Sequence, residues 1–349
     1  MQSYIEVIQG PYFSDLMNQA QALRATWGAL RDSTALGKIG PEYDMARFQR
    51  IVLTGMGGSY FGLRPLCIEL AANGWAPMMV ETSELIHYYP HLLAPSTLVI
   101  AVSQSGKSAE TVRMLEMNTH RASVIGVTNW GNSPLAQESD CVVMTAAGEE
   151  HSVSCKTYVS TQMALGILGA ALCKADVNGR LHEMEMAADV ADVYLRKWKT
   201  HVAQFVEQLS DMRDVFLAGR GASLAAAETG ALTIKESTHL HAEGMSSAAL
   251  RHGPFEMLKE GVFVGVFAGD ARTRELNEAL VKDVGNTSAR VVMFSEDAER
   301  EICRLPRVPE SLRPIVEILP VQMTTIALAA LANREAGKFE RASKITTTE

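Results

Sequence analysis

The stretch TLVIAVSQSGKSAET, residues 97–111, decides the fold. Its first six residues form an apolar run of strand length, which ends abruptly in the turn Ser103-Gln104-Ser105-Gly106-Lys107-Ser108. From Ala109 onward the sequence predicts a helix. Backbone N–H groups of the first helical turn, the positive end of the helix dipole and three serine hydroxyls would then point at one spot. The pattern predicts a phosphate site, although simple capping of the helix would use the same serines.

Two nucleotide-binding patterns near this turn are disfavoured by their details. Residues 101–108 match a relaxed P-loop, but Ala101 replaces its first glycine and lies inside the predicted strand, which leaves the loop too short for a triphosphate. Gly55-Met56-Gly57-Gly58-Ser59-Tyr60 is similar to a dinucleotide fingerprint, but its third glycine position is Tyr60. A tyrosine there would block the close helix–strand packing that NAD binding requires.

The amino-acid composition limits the classes of protein to which the chain can belong. The chain has 349 residues, 47% hydrophobic and 21% charged, which is enough for two globular domains. Its five cysteines are scattered without metal-ligand spacing, so neither a disulfide framework nor a metal site is expected. A net charge of −8 without a basic cluster disfavours nucleic acid as a partner. With no 18-residue apolar run and no leader-like start, the sequence predicts no membrane association and a cytoplasmic location.

Short apolar strands alternate with helical stretches from Arg50 onward, after a segment whose apolar stripe predicts helices. This alternation predicts a parallel sheet covered on both faces, a doubly wound α/β domain. Ligands of such sheets bind beyond the carboxyl ends of the strands, where Gly57-Gly58-Ser59 and the serine turn both fall. The predicted strands are Ile51–Leu53, Met78–Glu81, Leu98–Val102, Val124–Thr128 and Val142–Met144.

The same order of elements starts again about 164 residues later, which indicates an internal duplication. Val215–Ser223 echoes Val52–Ser59, and Val262–Phe267 echoes Leu98–Ser103. In the second copy Phe267-Ala268-Gly269-Asp270 replaces the serine turn, and its aspartate disfavours an anion. The sequence therefore predicts an α/β protein of two doubly wound, flavodoxin-like parallel-sheet domains, of which only the first binds phosphate.

The domain limits follow from these patterns. In the second copy we expect Val316–Leu319 to be the last strand, before a helix from Val321 to about Arg334. The predicted parts are an N-terminal helical segment at residues 1–48, a first domain with the phosphate cradle at 49–175, a second domain at 195–334 and a tail at 335–349.

The second copy carries a carboxylate and histidines in a pattern that suits proton transfer. A predicted helix from Leu224 to about His239 places Glu236 on one face with Thr229 and Thr233. His252 follows within about sixteen residues, on a Gly-Pro turn. A carboxylate and an imidazole are the minimum for moving a proton at a carbon next to a carbonyl. Spacing alone does not choose among His239, His241 and His252, and a solvated helix end would explain Glu236 equally well.

Six motifs in this order resemble the sugar isomerase (SIS) family: GMGGSYFG, VSQSGKSAET, AGEEHSVSCKTY, GRGASLAAAETGALTIKE, HAEGMSSAALRHGP and ASKITTTE. The resemblance runs from about Arg50 to Glu349. More narrowly, the chain is similar to the isomerase half of glucosamine-6-phosphate synthases and to stand-alone glucosamine-6-phosphate deaminases of the same family. The resemblance implies a sugar-phosphate ligand, a homodimer with a shared active site, and no metal, nucleotide or other cofactor.

The resemblance also implies roles for individual residues. Glu236 would be the base that moves a proton between C1 and C2 of the open-chain sugar, and His252, reaching in from the partner subunit, would open the ring. Lys344, in a tail that closes the site, would form a Schiff base with a ketose. These roles suit the chemistry of a carboxylate, an imidazole and an amine. Phosphate and sugar contacts would come from Gly58, Ser59, Ser103, Gln104, Ser105, Ser108 and Ser154.

Three positions depart from the pattern of the synthases. Thr233 and Thr229 stand where a lysine and a glutamate are usual, with Glu228 one place early, and Ala249 replaces a further glutamate. A lysine and a glutamate one helical turn apart would form an ion pair. Its absence would change the electrostatic field at Glu236. The chain also starts without a glutaminase half and without a cysteine near its first residue, so glutamine-driven synthesis is not expected.

The leading hypothesis is an enzyme that interconverts an aldose and a ketose phosphate with loss or gain of nitrogen at C2. The reaction would convert glucosamine 6-phosphate to fructose 6-phosphate plus ammonia, or run in the ammonia-dependent reverse. One alternative is a deglycase that releases an amine from a phosphorylated sugar adduct. Another is a non-catalytic regulator that binds a sugar phosphate. Retention of Glu236, His252 and Lys344 favours an enzyme over a pure binding protein.

Overall fold

The structure is a computed structural model that describes residues 7–341, 343–346 and 348. It divides into two compact units, each of which contains one parallel sheet. We name the units after the number of strands in their sheets. The five-stranded unit comprises residues 21–150, 156–186 and the described residues from Arg341 onward. The four-stranded unit comprises the described residues up to Ala20 together with residues 151–155 and 187–340.

The sheet of the five-stranded unit has the strand order β2-β1-β3-β4-β5, and every pairing in it is parallel. Its inner strands are buried almost throughout, because helices cover both faces, whereas the edge strands β2 and β5 are only partly covered. All five strands predicted from the sequence are confirmed. Their bounds are Arg50–Gly55 (β1), Pro77–Glu81 (β2), Thr97–Val102 (β3), Ser123–Thr128 (β4) and Cys141–Met144 (β5).

The sheet of the four-stranded unit repeats this arrangement, with the order β7-β6-β8-β9 and parallel pairing throughout. This order is the order of the first four strands of the other sheet, which confirms the duplicated α/β architecture. The central strands β6 and β8 are again the most deeply buried. The bounds are Asp214–Gly219 (β6), His241–Ser246 (β7), Val262–Phe267 (β8) and Arg290–Phe294 (β9).

Helices connect the strands and cover the sheets. Short 3₁₀ turns lie at Pro90–Leu92, Pro254–Met257, Glu301–Cys303 and Glu310–Leu312. The α-helices among the described residues, in chain order, are Pro11–Met17 (α1), Gln19–Arg31 (α2), Thr34–Glu42 (α3), Gly58–Phe61 (α4), Arg64–Ala72 (α5), Thr82–Tyr88 (α6), Ala109–Met117 (α7), Pro134–Glu138 (α8), Lys156–Leu172 (α9), Val177–Glu185 (α10), Ala187–Leu195 (α11), Trp198–Leu209 (α12), Ser223–Thr238 (α13), Ser247–Arg251 (α14), Arg274–Gly285 (α15), Arg313–Val316 (α16) and Ile318–Leu331 (α17).

Helices α1 to α3 lie in the predicted N-terminal helical segment, and residues 1–6 of that segment lie outside the described residues. The predicted apolar stripe faces inward, since Leu16, Ala20, Leu23 and Leu30 are all buried. Trp27 lies at the margin of the stripe and donates its indole N–H to the Leu181 carbonyl at 2.8 Å within the five-stranded unit.

The prediction that Val316–Leu319 is a strand is wrong, because these residues end α16 and begin α17. A short apolar run does not distinguish a buried strand from one turn of a buried helix, and α17 is buried on all sides up to Ala330. The strands β7 and β9 are elements that the sequence analysis did not identify. Both are edge strands, and β7, with the sequence HAEGMS, has few of the β-branched residues that mark a strand.

One helical stretch, Glu310–Leu331, has the length and apolar composition of a membrane span, with a mean hydropathy of 1.6. However, 94% of its most apolar window is buried inside the protein. Within the four-stranded unit it therefore has the position of a core helix.

A buried carboxyl group lies beside the first residue of α13 in the four-stranded unit. Ser223, the first residue of α13, donates its hydroxyl to Glu317 at 2.8 Å. Glu317 is fully buried, and this burial raises the pKa of its carboxyl to about 8, against the opposing effects of the Ser223 hydrogen bond and of Arg313. At neutral pH the carboxyl is therefore predominantly protonated.

We predict that Glu317→Gln flattens the pH dependence of stability. The pKa of the Glu317 carboxyl is about 8 in the folded protein, above the ordinary value of 4.5. The protonated carboxyl therefore stabilises the folded state fully below about pH 4.5, and this contribution is lost as the pH rises to about 8. The wild type should lose about 1.4 kcal/mol per pH unit relative to the variant over that range. Urea unfolding between pH 5.5 and 9 measures the difference. The exposed Glu260→Gln is the control, and parallel curves for both variants would contradict the prediction.

Candidate functional site

The carboxyl ends of β1 and β3 meet where the strand order of the five-stranded sheet reverses. The two strands are paired to their last residues, with Gly55 opposite Val102. A Cβ on Gly55 would lie 2.9 Å from the Val102 carbonyl oxygen and 3.1 Å from the Tyr60 backbone nitrogen, so only glycine fits there. Gly58 and Ser59 follow at once in the first turn of α4. The loop after β1 and the serine turn after β3 therefore leave the sheet side by side, at the position where doubly wound sheets bind ligands.

The serine turn is folded tightly by its own hydroxyl groups. The Gly106 N–H donates to the Ser103 hydroxyl at 3.1 Å, and the Lys107 N–H donates to the Ser105 hydroxyl at 3.3 Å. Gly106 has a φ of +63°, and a Cβ there would lie 2.6 Å from the Ser133 Cβ. Ser103 and Ser105 are buried, whereas Lys107 is exposed. The turn thus has one closely specified backbone conformation.

Capping of the following helix does not account for the last serine of the turn. Ser108 is the N-cap residue of α7, yet its side chain makes no capping hydrogen bond within the described part of the chain. Its hydroxyl lies 2.8 Å from the Thr111 hydroxyl instead. The Gln104 carbonyl accepts from the Asn129 N–H at 3.1 Å and so ties the turn to the loop that follows β4. The turn is therefore held by the neighbouring loop and by its own hydroxyls.

The C-terminal tail lies beside this turn in the five-stranded unit. The Thr346 carbonyl accepts from the N–H of Ala109, the first residue of α7, at 3.1 Å. The Lys344 ammonium is 2.8 Å from Glu150, whose carboxylate is completely buried. Glu150 also accepts from the Thr157 N–H at 3.0 Å and so is fixed to the start of α9. Three other residues of the tail motif, Ala342, Thr347 and Glu349, lie outside the described residues.

Glu150 was not identified in the sequence analysis, although it stands within the quoted motif AGEEHSVSCKTY. Nothing in the local sequence distinguishes it from Glu149, its exposed neighbour. The partner that gives Glu150 its position, Lys344, is 194 residues away. The sequence points to this ion pair only indirectly, because the motifs AGEEHSVSCKTY and ASKITTTE occur in the same chain.

The remaining predicted site residues belong to the four-stranded unit. Glu236 lies near the end of α13 and is half-buried, as is Ser154 in the segment 151–155. His252 is exposed directly after α14, where its N–H donates to the Ala249 carbonyl at 2.9 Å. The structure thus brings Gly58, Ser59, the serine turn and Lys344 into one unit, and Glu236, His252 and Ser154 into the other.

The other two histidines that spacing left open have carboxylate neighbours. The His241 Nδ1 lies 2.9 Å from the Asp214 carboxylate at the start of the β6–β7 pairing, and His239 lies 3.7 Å from Glu340. His239 also has a left-handed backbone, with a φ of +58°, at the end of α13. Both histidines therefore have structural explanations.

Two of the three positions that depart from the synthase pattern are buried in α13, and the third, Ala249, is exposed in α14. Thr229 and Thr233 lie one turn apart, and the Thr233 hydroxyl donates to the Thr229 carbonyl at 2.9 Å. This short-range bond satisfies the hydroxyl within the helix itself. Thr229 and Thr233 are uncharged, so this part of α13 carries no ion pair at the two positions on the helix face of Glu236.

The second copy presents different groups at the place of the serine turn. Asp270 accepts from the Arg272 guanidinium at 2.9 Å and forms a compact acidic turn after β8. The first copy offers hydroxyls and backbone N–H groups at this position, whereas the second offers a carboxylate.

Comparison with known proteins places these observations in a family. The SIS domain family profile matches residues 44–171 and 208–332. A glutamine–fructose-6-phosphate aminotransferase (isomerizing) from Pyrococcus horikoshii is 30% identical over 96% of this chain. The chain spans only 57% of the length of that relative.

Two solved structures share the fold. The C-terminal domain of glucosamine-fructose-6-phosphate aminotransferase from Francisella tularensis superposes with a TM-score of 0.82, at 20% identity, over 95% of this chain and 98% of that domain. Glucosamine-6-phosphate deaminase from Thermotoga maritima superposes with a TM-score of 0.71, at 15% identity, over 92% of this chain and 95% of that one. At these identities the likeness concerns the fold.

We predict that Glu150→Gln loosens the C-terminal tail. The substitution removes the buried negative charge that Lys344 pairs with, while an amide can still accept from the Thr157 N–H. Trypsin should cleave after Arg341 and Lys344 about tenfold faster in the variant, a change equivalent to about 1.4 kcal/mol of tail opening. Mass spectrometry of limited digests measures the rates. Glu149→Gln is the matched control, and equal rates in the two variants would show that the ion pair does not hold the tail.

Proposed function

The chain belongs to the SIS domain family, and we propose from this that it is an enzyme acting on a phosphorylated sugar. The proposed reaction interconverts glucosamine 6-phosphate with fructose 6-phosphate and ammonia. The named activities of the aminotransferase and deaminase relatives support this choice of sugar and of nitrogen chemistry. We propose a homodimer with a shared active site, working in the cytoplasm without a metal or nucleotide cofactor.

The observation that carries the proposal is the serine turn at the switch point of the five-stranded sheet. A helix N-terminus, buried serines and a glycine with positive φ are gathered at the edge where such sheets bind ligands. A phosphate bound there would accept from hydroxyls and backbone N–H groups in the field of the α7 dipole. We assign the phosphate contacts to Ser59, Ser103, Gln104, Ser105 and Ser108. Gly58 is assigned to the backbone approach, and Ser154 to the sugar.

We assign the chemistry to one carboxylate and one imidazole. Glu236 removes the proton from C2 of the open-chain amino sugar and returns it at C1, which converts the aldehyde to an alcohol and leaves an imine at C2. Water then adds to that carbon, ammonia leaves, and the ketone of fructose 6-phosphate remains. His252 moves the proton that opens the sugar ring. The half-buried position of Glu236 near the end of α13 is compatible with contact between its carboxylate and a bound substrate.

Lys344 is assigned to the reverse direction, in which its amine would form a Schiff base with the ketose. Its ion pair with Glu150 must open before the nitrogen can attack a carbonyl, so we propose that the tail moves during the cycle. In this scheme residues 49–175 and 195–334 act as the two sugar-isomerase domains, and the tail 335–349 closes over the substrate.

A regulator that binds a sugar phosphate without turnover is the second candidate. The observation that favours it is the replacement of two charged positions of the synthases by the buried Thr229 and Thr233. The electrostatic field at Glu236 then differs from that of the enzymes, while the serine turn is unaffected. Binding with and without turnover separates the two candidates.

We predict that the purified protein releases ammonia from glucosamine 6-phosphate and forms fructose 6-phosphate. Glu236→Gln should lower kcat at least about 100-fold because it removes the proton-accepting group, with affinity for fructose 6-phosphate changed less than about threefold. Coupled ammonia assays and calorimetry measure the two quantities. Glu275→Gln, an exposed position in α15, is the control.

The outcomes of this experiment separate the candidates. Turnover lost in Glu236→Gln with affinity retained supports the enzyme and the role of Glu236. Binding of fructose 6-phosphate by the wild type without any ammonia release points to the regulator or to a deglycase that acts on another adduct. Failure to bind any hexose phosphate would sink the proposal.

We predict that Ser105→Ala weakens fructose 6-phosphate binding about tenfold or more, as expected for loss of a hydrogen bond to a charged group. The Ser105 hydroxyl is buried in the serine turn and also accepts from the Lys107 N–H, so its removal acts on the phosphate contact and on the shape of the turn. Ser123→Ala, at the opposite end of β4 from the ligand edge, is the matched control. Calorimetric titration of both variants measures the effect, and equal affinities would place the phosphate elsewhere.

A further inference from the structure

A cavity of about 400 Å³ lies within the four-stranded unit, between α11, α12 and the segment 301–306. Its walls are mainly apolar and include Val190, Val193, Leu305 and Pro306. None of the residues assigned above to phosphate binding or catalysis lines it. The volume falls in the range of small-molecule sites in proteins.

Two buried polar side chains line this cavity side by side. Tyr194 is 5% exposed and His201 is 2% exposed, and their rings lie 4.4 Å apart at 59°. The Tyr194 hydroxyl and both imidazole nitrogens of His201 are buried and have no hydrogen-bond partner among the described residues. Each such atom destabilises the fold when nothing satisfies it, and proteins keep few of them. Three such atoms lie together beside this cavity, and no group of the described residues satisfies them.

The charged side chains that line the cavity, Asp189, Lys197, Glu301 and Arg304, together carry no net charge. Lys197 and Glu301 form an ion pair at 2.7 Å, and Arg304 donates to the Ala298 and Glu299 carbonyls at 2.8 and 3.1 Å. Burial lowers the pKa of His201, a change that Glu301 opposes and Lys197 assists, so the imidazole is neutral near pH 7. A neutral imidazole offers one donor and one acceptor, and the phenol of Tyr194 can do both. A charged ligand would therefore meet no net countercharge here.

We propose that this cavity is a second binding site, which takes a compact, uncharged, largely apolar molecule carrying a hydroxyl group. The hydroxyl hydrogen-bonds to Tyr194 and His201, and the apolar part of the molecule packs against Val190, Val193 and Leu305. The inference rests on the cavity and its polar groups, and it is independent of the phosphosugar chemistry.

Phenol and toluene are matched probes for this site, because they have similar size and differ in the hydroxyl. We expect phenol to bind at least fivefold more tightly than toluene, and to shift the imidazole NMR resonances of His201. Tyr194→Phe should weaken phenol binding at least fivefold and leave toluene binding unchanged. Without a probe, this variant should be at least as stable as the wild type, since it removes an unsatisfied hydroxyl. Tyr88→Phe, at an exposed tyrosine, is the control.

A second variant tests the place of binding. Val193 is 63% exposed, so Val193→Trp can occupy the cavity mouth without disturbing the core, and it should abolish binding of both probes. Several results would overturn the proposal. The first is no phenol binding, in which case water alone fills the cavity. The second and third are equal binding of phenol and toluene, and phenol binding that survives Val193→Trp. The fourth is clear destabilisation by Tyr194→Phe, which would mean that the Tyr194 hydroxyl already has a partner.

Discussion

The structure depends on the close parallel pairing of β1 with β3. This pairing extends to Gly55 and Val102, and the Val102 carbonyl approaches Gly55 so closely that no side chain fits there. The chain must therefore turn at once into α4, and the serine turn must leave the sheet on the same edge. The position of the serine turn is thus imposed by the sheet, while its internal shape is imposed by Gly106 and by the hydroxyls of Ser103 and Ser105.

The duplicated sheet repeats the constraint with different side chains. A Cβ on Gly219 would lie 3.1 Å from the Ser223 backbone, as one on Gly55 would from Ser59. The backbone approach leaves no freedom at these glycines, so both copies retain them. The loops of the two copies nevertheless differ: the Ser223 hydroxyl donates to the buried Glu317, and Asp270 stands in place of the hydroxyls of the serine turn. One backbone frame therefore presents hydroxyls and backbone N–H groups in one copy and a carboxylate paired with Arg272 in the other.

The sequence predicted the elements whose signals are local. The inner strands have continuous apolar runs because both of their faces are buried, and the serine turn carries its own hydroxyls and glycine. Prediction failed where the outcome depends on distant partners. The edge strand β7 is a strand because all six of its residues pair with β6, and the run at 316–319 is helical because it continues into the buried α17. Glu150 owes its place to Lys344, which no local pattern connects with it.

The Lys344–Glu150 ion pair connects residues far apart in the sequence, and Lys344 also has a role in the proposed chemistry. Glu150 is completely buried and also fixed by Thr157, so it holds its place when the tail moves, whereas Lys344 is partly exposed and can leave. Opening the tail would remove the counter-ion of the buried Glu150 carboxylate. This removal costs free energy, so the closed arrangement of the tail is favoured. In the proposed reaction, an incoming sugar phosphate that offers Lys344 a carbonyl would have to repay that cost through new contacts at the serine turn. The same ion pair that positions the amine thus restrains it, and binding at the phosphate end would supply the free energy that releases it.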